Sequence, residues 1–405
     1  MAKTTGTSTK QSFPRKLLEQ SKEERLASFK VYTVAHPHLS QADTAVWKAI
    51  REPAGKLLIF VFGPTGVGKT TLLEHIQKRL MEQAWSRMQE DHSHLPVVRL
   101  QAMAPSTRQF KWADFYTRAL MSVSEPLIDD KINDRAFTPL DNETLHRPVN
   151  PHPRGDAAAR QRSWEQVIKY RQLVAILIDE AQHFGKVARG STLFEQLEHL
   201  KSLAVETQTV HVLAGTYDLP IFRNLNAQLS RRSIDVHFPR YDATKEEERQ
   251  AFQKVLLSFQ RHLPLEEQPD LIHQWKYCYA RSVGCVGILK DWLTKALAEA
   301  LENDEQTISM ARLERHAISA DRCDQMISDM EEGEKRMAAD PGADERLLFR
   351  LGLSGRRQAK NGQEQGRETE KPQTISRSRG TRVGQRKPER DPVKEETGTD
   401  GENRG

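Results

Sequence analysis

The residues best suited to chemistry lie together in one short stretch: Gly63, Pro64, Thr65, Gly66, Val67, Gly68, Lys69, Thr70 and Thr71. Three glycines let a backbone wrap with its N–H groups turned inward. A helix starting directly behind adds its own unpaired donors and the positive end of its dipole. The spacing G-x-x-x-x-G-K-T is that of a loop that cradles phosphate. Read this way, Lys69 reaches the β- and γ-phosphates of a nucleoside triphosphate, and the Thr70 hydroxyl holds Mg²⁺. The loop needs a strand before it and a helix after it. Leu57-Leu58-Ile59-Phe60-Val61-Phe62 supplies the strand, and Leu72-Leu73-Glu74-His75-Ile76 begins the helix.

A second set of reactive residues ends another apolar run. Leu173 to Ile178 (LVAILI) has the continuous hydrophobicity of a parallel strand covered on both faces, and it stops at Asp179-Glu180. Asp179 stands where a carboxylate supports the Mg²⁺ shell. Glu180 stands where a general base orients and deprotonates water. A third strand, Val210 to Ala214, ends in Gly215-Thr216. Thr216 is the candidate to touch the γ-phosphate or the water; the other reading of it is a strand-terminal turn.

These groups are useful only if strands and helices bring them to one edge. Between the P-loop helix and the Asp-Glu pair lie a strand at Leu95–Gln101, an amphipathic helix over 106–123 and a helix at Ser163–Tyr170. Residues 129–160 are rich in Asp, Asn, Pro and Arg, without periodicity, and read as an exposed insertion. A helix over 192–206 precedes the Thr216 strand. A helical stretch over 218–230 and a strand from Ile234 to Phe238 follow it. Such strand–helix alternation specifies a parallel sheet flanked by helices. Ahead of it, Leu17, Leu18, Leu26 and Phe29 recur at helical spacing. Val31–Val34 reads as a short extended piece, and a helix over Gln41–Arg51 has Ser40 as its N-cap. Tyr32 and His36 are candidates for contact with a nucleotide base, or for ordinary packing of the lead-in.

From Thr244 the periodicity is helical throughout, over about 244–261, 266–280, 285–302 and 309–331, with Thr244 and Glu247 as a capping box. The expected organisation is a flexible segment at 1–29, a nucleotide-binding α/β domain at 30–243, a helical lid at 244–332 and a charged, largely disordered tail at 333–405. The tail from 355 has almost no large apolar side chains, so it cannot bury enough surface to fold. The whole chain has 405 residues and a formal net charge of +5, a mild lean toward anionic partners. No apolar run approaches a membrane span and Met1–Pro14 lacks a signal-peptide core, so a cytoplasmic location is expected. Cys278, Cys285 and Cys323 have no metal-binding spacing and read as reduced thiols.

The P-loop, the Asp-Glu strand end, the polar strand end, the pair Arg231-Arg232 and the helical lid together resemble an AAA+ ATPase. Within that superfamily the chain resembles the bacterial transposition regulators of the TniB, TnsC and MuB type. The matching residues are His36-Pro37, GPTGVGKTT, ILIDEAQHF (Ile176–Phe184), LAGT (Leu213–Thr216) and VGCVGIL (Val283–Leu289), spanning about residues 30–330. One departure stands out. Many AAA+ lids carry an arginine just after the glycine turn, whereas this chain has Ile288 there and Lys290 two residues on.

The resemblance implies ATP hydrolysis with Mg²⁺ and assembly into a homo-oligomeric ring or helical filament on double-stranded DNA. It also implies recruitment of a transposase and of a target-selecting protein. It makes Arg231 an arginine finger reaching a neighbouring subunit; the alternative for either arginine is a cation neutralising a helix end. It points Arg108 and Lys111 at the DNA backbone, where small hydroxylated neighbours (Ser106, Thr107) suit phosphate contact without base readout; a solvated loop is the other reading. Two rival functions remain at this level, a DNA motor or helicase loader and a nucleotide-gated signalling module that binds no DNA.

Overall fold

Five parallel strands form the centre of the protein: β1 (Leu58–Phe62), β2 (Val97–Gln101), β3 (Ala175–Asp179), β4 (Val210–Gly215) and β5 (Ser233–His237). Their spatial order is β2-β3-β4-β1-β5. The structure is a computed structural model, and it describes residues 12–104, 110–128, 157–185, 192–219, 233–337 and 342–353. Phe62 lies opposite Gly215, Ile178 opposite Leu213 and Gln101 opposite Asp179. The residues that follow β1, β3 and β4 therefore emerge side by side at the carboxyl edge, where open parallel sheets bind ligands.

Side chains alternate across each strand, and the two faces form two cores. Leu58, Phe60, Phe62, Ile176, Ile178 and Leu213 pack under α4 (Trp112–Ser122), α5 (Ala157–Arg171) and α6 (Thr192–Thr207), against Phe115, Tyr116, Trp164, Ile168 and Leu203. Ile59, Val61, Ala175, Leu177, Val212 and Val236 pack under α2 (Pro37–Arg51) and α3 (Lys69–Glu90), against Val46, Ile50, Leu72, Leu73 and Ile76. This is the AAA+ P-loop NTPase fold expected from the sequence.

Of the helices after the sheet, α7 (Glu246–His262), α8 (Trp275–Ser282), α9 (Val286–Glu302) and α10 (Met310–His316) hold a third core, whereas α11 (Ala320–Met337) packs on the second core through Met330. Phe252, Leu256, Phe259, Leu289, Trp292, Leu293 and Leu297 fill the third core, joined by Phe29 from α1 (Lys22–Val31) and by Val34. The chain divides into two units, residues 1–339 and 340–405. In the second, the described part holds the short helix α12 (Ala343–Arg350) with Leu347, Leu348 and Phe349 exposed.

Several element expectations are corrected. α2 starts at Pro37 with His36 as its N-cap, because proline suits the first helical position; Ser40 lies inside the helix. Residues 32–36 have no strand partner, and Val31 ends α1, which Ser21 and Glu24 close with a capping box. α5 begins at Ala157, six residues before the expected Ser163. Thr244 and Glu247 form no capping box. Asp242 takes both the N–H and the hydroxyl of Thr244, at 2.9 and 2.7 Å, and α7 begins after Lys245. Residues 266–274 are not helical, and the stretch over 309–331 is two helices separated at 317–319. Residues 1–11, the segment 129–156, most of the stretch over 218–230 and the tail from 354 lie outside the described residues.

Candidate nucleotide site

β1 delivers Gly63 to the carboxyl edge, and the loop returns into α3, whose N-cap is Gly68. Lys69 is therefore the first residue of a 22-residue helix and is almost fully buried. Its ammonium donates to the carbonyls of Gly63 at 2.9 Å and Pro64 at 2.8 Å. Burial pulls its pKa down to about 8, against the upward pull of the Glu180 and Asp179 carboxylates. A cation held in the mouth of a ring of backbone donors can pair with a polyphosphate.

The second residue of the helix ties loop to sheet. The Thr70 hydroxyl donates to Asp179 Oδ2 at 2.7 Å, while Asp179 Oδ1 accepts the backbone N–H of Glu180 at 2.9 Å. A hydroxyl and a buried carboxylate in contact are hard oxygen donors, the kind Mg²⁺ takes alongside phosphate oxygens and water. The donor set therefore fits that ion. Glu180 is partly buried and has φ +54°, a left-handed backbone that turns its side chain out of the strand direction.

Gln182, to which the linear motifs assign no role, lies between the strand ends. Its amide Nε2 donates to Glu180 Oε2, and its Oε1 accepts the backbone N–H of Thr216 at 3.3 Å. Thr216 thus belongs to this edge, with its hydroxyl donating to Asp218 Oδ2 at 3.3 Å. The motif stretch ILIDEAQHF contains Gln182, but linear spacing could not show that it reaches across to β4.

The lid closes on the loop directly. Gly66 has φ +81°, and a Cβ there would stand 2.5 Å from Ile288 Cγ1, so only glycine fits between loop and lid. The backbone N–H of Gly287 donates to Gly66 O at 2.7 Å. Ile288 thus packs on the phosphate loop at the place where the resemblance would put an arginine. The ammonium of Lys290 donates to Lys30 O at 2.7 Å. Behind the loop a small cavity is lined by Val34, His36, Val67, Thr71, Val286 and Lys290, among others. His36 lines it, with its Nδ1 bonded to the Tyr241 hydroxyl at 3.0 Å, and burial pushes its pKa down to about 4. Tyr32, the other candidate for base contact, is stacked on His262 at 3.6 Å between ring centroids and does not line the cavity.

Lys111 is exposed at the N-cap of α4, between the partly buried rings of Phe110 and Trp112. Arg108, Ser106, Thr107, Arg231 and Arg232 lie outside the described residues. Cys278, Cys285 and Cys323 are buried free thiols. Among the described residues no helix is long and apolar enough to cross a membrane.

Sheet order, loop and strand-end acids together give the AAA+ P-loop NTPase fold with a site suited to a nucleoside triphosphate. In agreement, residues 51–220 match the family model described as AAA domain, a segment that runs from the end of α2 past β4. No curated protein matches the chain. Among solved structures, the chain is similar to the ORC1 protein of Aeropyrum pernix in complex with DNA, at 16% identity and a TM-score of 0.49, covering 73% of this chain and 68% of that one. It is also similar to the ORC2 protein of the same organism in its ADP form, at 14% identity and a TM-score of 0.46, covering 72% and 71%. A third is domain III of the replication initiation protein DnaA of Thermotoga maritima, at 14% identity and a TM-score of 0.38, covering 75% and 95%.

Proposed function

We propose that this ATPase is an ATP-dependent, sequence-nonspecific DNA-binding regulator of DNA transposition. It assembles as a ring or helical filament on double-stranded target DNA and recruits the transposase, together with a target-selecting protein. Hydrolysis dismantles the assembly. The proposal draws on the motif set shared with the TniB, TnsC and MuB type over about residues 30–330. One observation carries the assembly step: Ile288, not an arginine, meets the phosphate loop at Gly66. The γ-phosphate then has fewer positive partners within its own subunit, and a neighbour must supply the charge. Arg231 is the residue we assign to that task.

The roles within one subunit follow from the chemistry of the groups. The loop N–H groups and Lys69 hold the β- and γ-phosphates of ATP. Thr70 and Asp179 hold Mg²⁺, which, when bound, neutralises charge on the phosphate oxygens. Glu180 orients the attacking water and takes its proton, and Thr216 contacts the water or the γ-phosphate. Arg108 and Lys111 meet the DNA backbone.

Electron microscopy with duplex DNA and a slowly hydrolysed ATP analogue tests the reading. Rings or filaments on DNA that persist with the analogue are expected. Translocation that needs turnover would point to a motor or helicase loader. Duplex binding that is absent with and without ATP would leave a signalling module.

A further inference from the structure

We propose that Gln182 is a positioning residue that yokes Glu180 to the end of β4, so that the base is aimed by the same strand that carries Thr216. This rests on the reading of Glu180 as the general base. Three observations support it. The Gln182 amide uses both ends: Nε2 donates to the Glu180 carboxylate, and Oε1 accepts the Thr216 N–H at 3.3 Å. Gly215 leaves the room this requires, since a Cβ there would stand 2.4 Å from Gln182 Oε1 and 2.8 Å from Leu219 Cδ1. Glu180 holds a left-handed backbone at φ +54°, so its side-chain direction depends on what grips the carboxylate.

The physical consequence is a mechanical link between two strand ends. A primary amide can donate to a carboxylate through its nitrogen while accepting from an N–H through its oxygen, so one planar group spans the two. A shift of the Thr216 backbone toward or away from a bound γ-phosphate moves Oε1, and the rigid amide plane passes the shift to Glu180. A general base displaced by about 1 Å can lose about 100-fold in rate, so the aim of Glu180 is worth controlling.

Gln182→Glu keeps length and shape but replaces the donor with a second carboxylate. Steady-state hydrolysis and equilibrium binding of a fluorescent ATP analogue are measured, with Glu180→Gln as a control. The expected result is a kcat lower by about 10- to 100-fold with nucleotide affinity within about twofold. A purely structural role for Gln182 would lower affinity together with kcat. Gly215→Ala, which forces the amide aside without changing its chemistry, should show the same split between kcat and affinity. If Glu180→Gln is inactive while Gln182→Glu keeps its kcat within twofold, the yoke is wrong and the base assignment stands. If Glu180→Gln hydrolyses ATP at the normal rate, the base assignment fails and the yoke fails with it.

Discussion

Lys69 sets two opposing pH dependences. In the folded chain burial holds its pKa at about 8, against an ordinary 10.5. Below pH 8 the ammonium is charged in both folded and unfolded chains, and the fold carries the cost of burying it. Between about 8 and 10.5 the unfolded chain binds the extra proton, so nucleotide-free stability should rise with pH. Nucleotide affinity should do the opposite. Only the charged lysine pairs with phosphate, so affinity should hold below pH 8 and then weaken toward about tenfold per unit. Titration calorimetry across pH 7 to 10 checks this, and an affinity flat to pH 10 would contradict it. At the neighbouring strand end, Glu180→Gln should bind ATP normally but lose turnover, because only water activation is removed. Lys69→Ala should lose binding as well. Normal hydrolysis by Glu180→Gln would show that the base lies elsewhere.

At the scale of elements, the question is what holds the lid against the sheet. Gly287 N–H to Gly66 O is one clasp at the loop. Arg240, just past β5, provides another through a two-pronged pair with Glu334 of α11, at 2.9 and 3.2 Å. The two side chains are 17% and 31% exposed, so the pair is partly shielded and worth more than a surface ion pair. A double-mutant cycle with Arg240→Ala and Glu334→Ala should give a coupling energy of about 1–3 kcal/mol in urea unfolding. Each single change should also raise the KM for ATP, because α11 lines a cavity together with Pro64 and Thr65 of the phosphate loop and with Thr216. A coupling energy near zero would mean that α11 is held by its apolar contacts alone.

At the scale of the whole molecule, the proposed assembly makes two separable demands. Changing Arg108 and Lys111 together to Glu should weaken duplex binding while leaving ATP affinity intact. Each phosphate that is no longer neutralised should flatten the salt dependence by about one unit of slope. An unchanged affinity and slope would move the DNA surface elsewhere. Arg231→Ala should leave ATP affinity of the isolated subunit nearly intact, abolish cooperative assembly on DNA and lower hydrolysis by about 10³-fold or more. Mixing Arg231→Ala subunits with Lys69→Ala subunits should restore part of the activity, since one competent interface forms at each correct pairing. Co-assembly without rescue would place the arginine's action within its own subunit or nowhere.

The sequence alone determined the strands, because β1, β3 and β4 are continuous apolar runs whose burial on both faces leaves no other place for them. It also determined the loop and the strand-end acids, because phosphate and water chemistry demand fixed residue types at fixed local spacing. Boundaries were less legible where local hydrogen bonds compete. Asp242 took the donors of Thr244, and Pro37 started α2 before Ser40 could cap it. Only the tertiary structure decided the contacts between segments distant in the chain. Ile288 rests on Gly66, Lys290 turns to Lys30, Tyr32 stacks on His262, and Gln182 spans from Glu180 to Thr216. Each of these joins residues brought together by sheet order and lid closure, and side-chain periodicity carries information about which face is buried but none about which partner waits there.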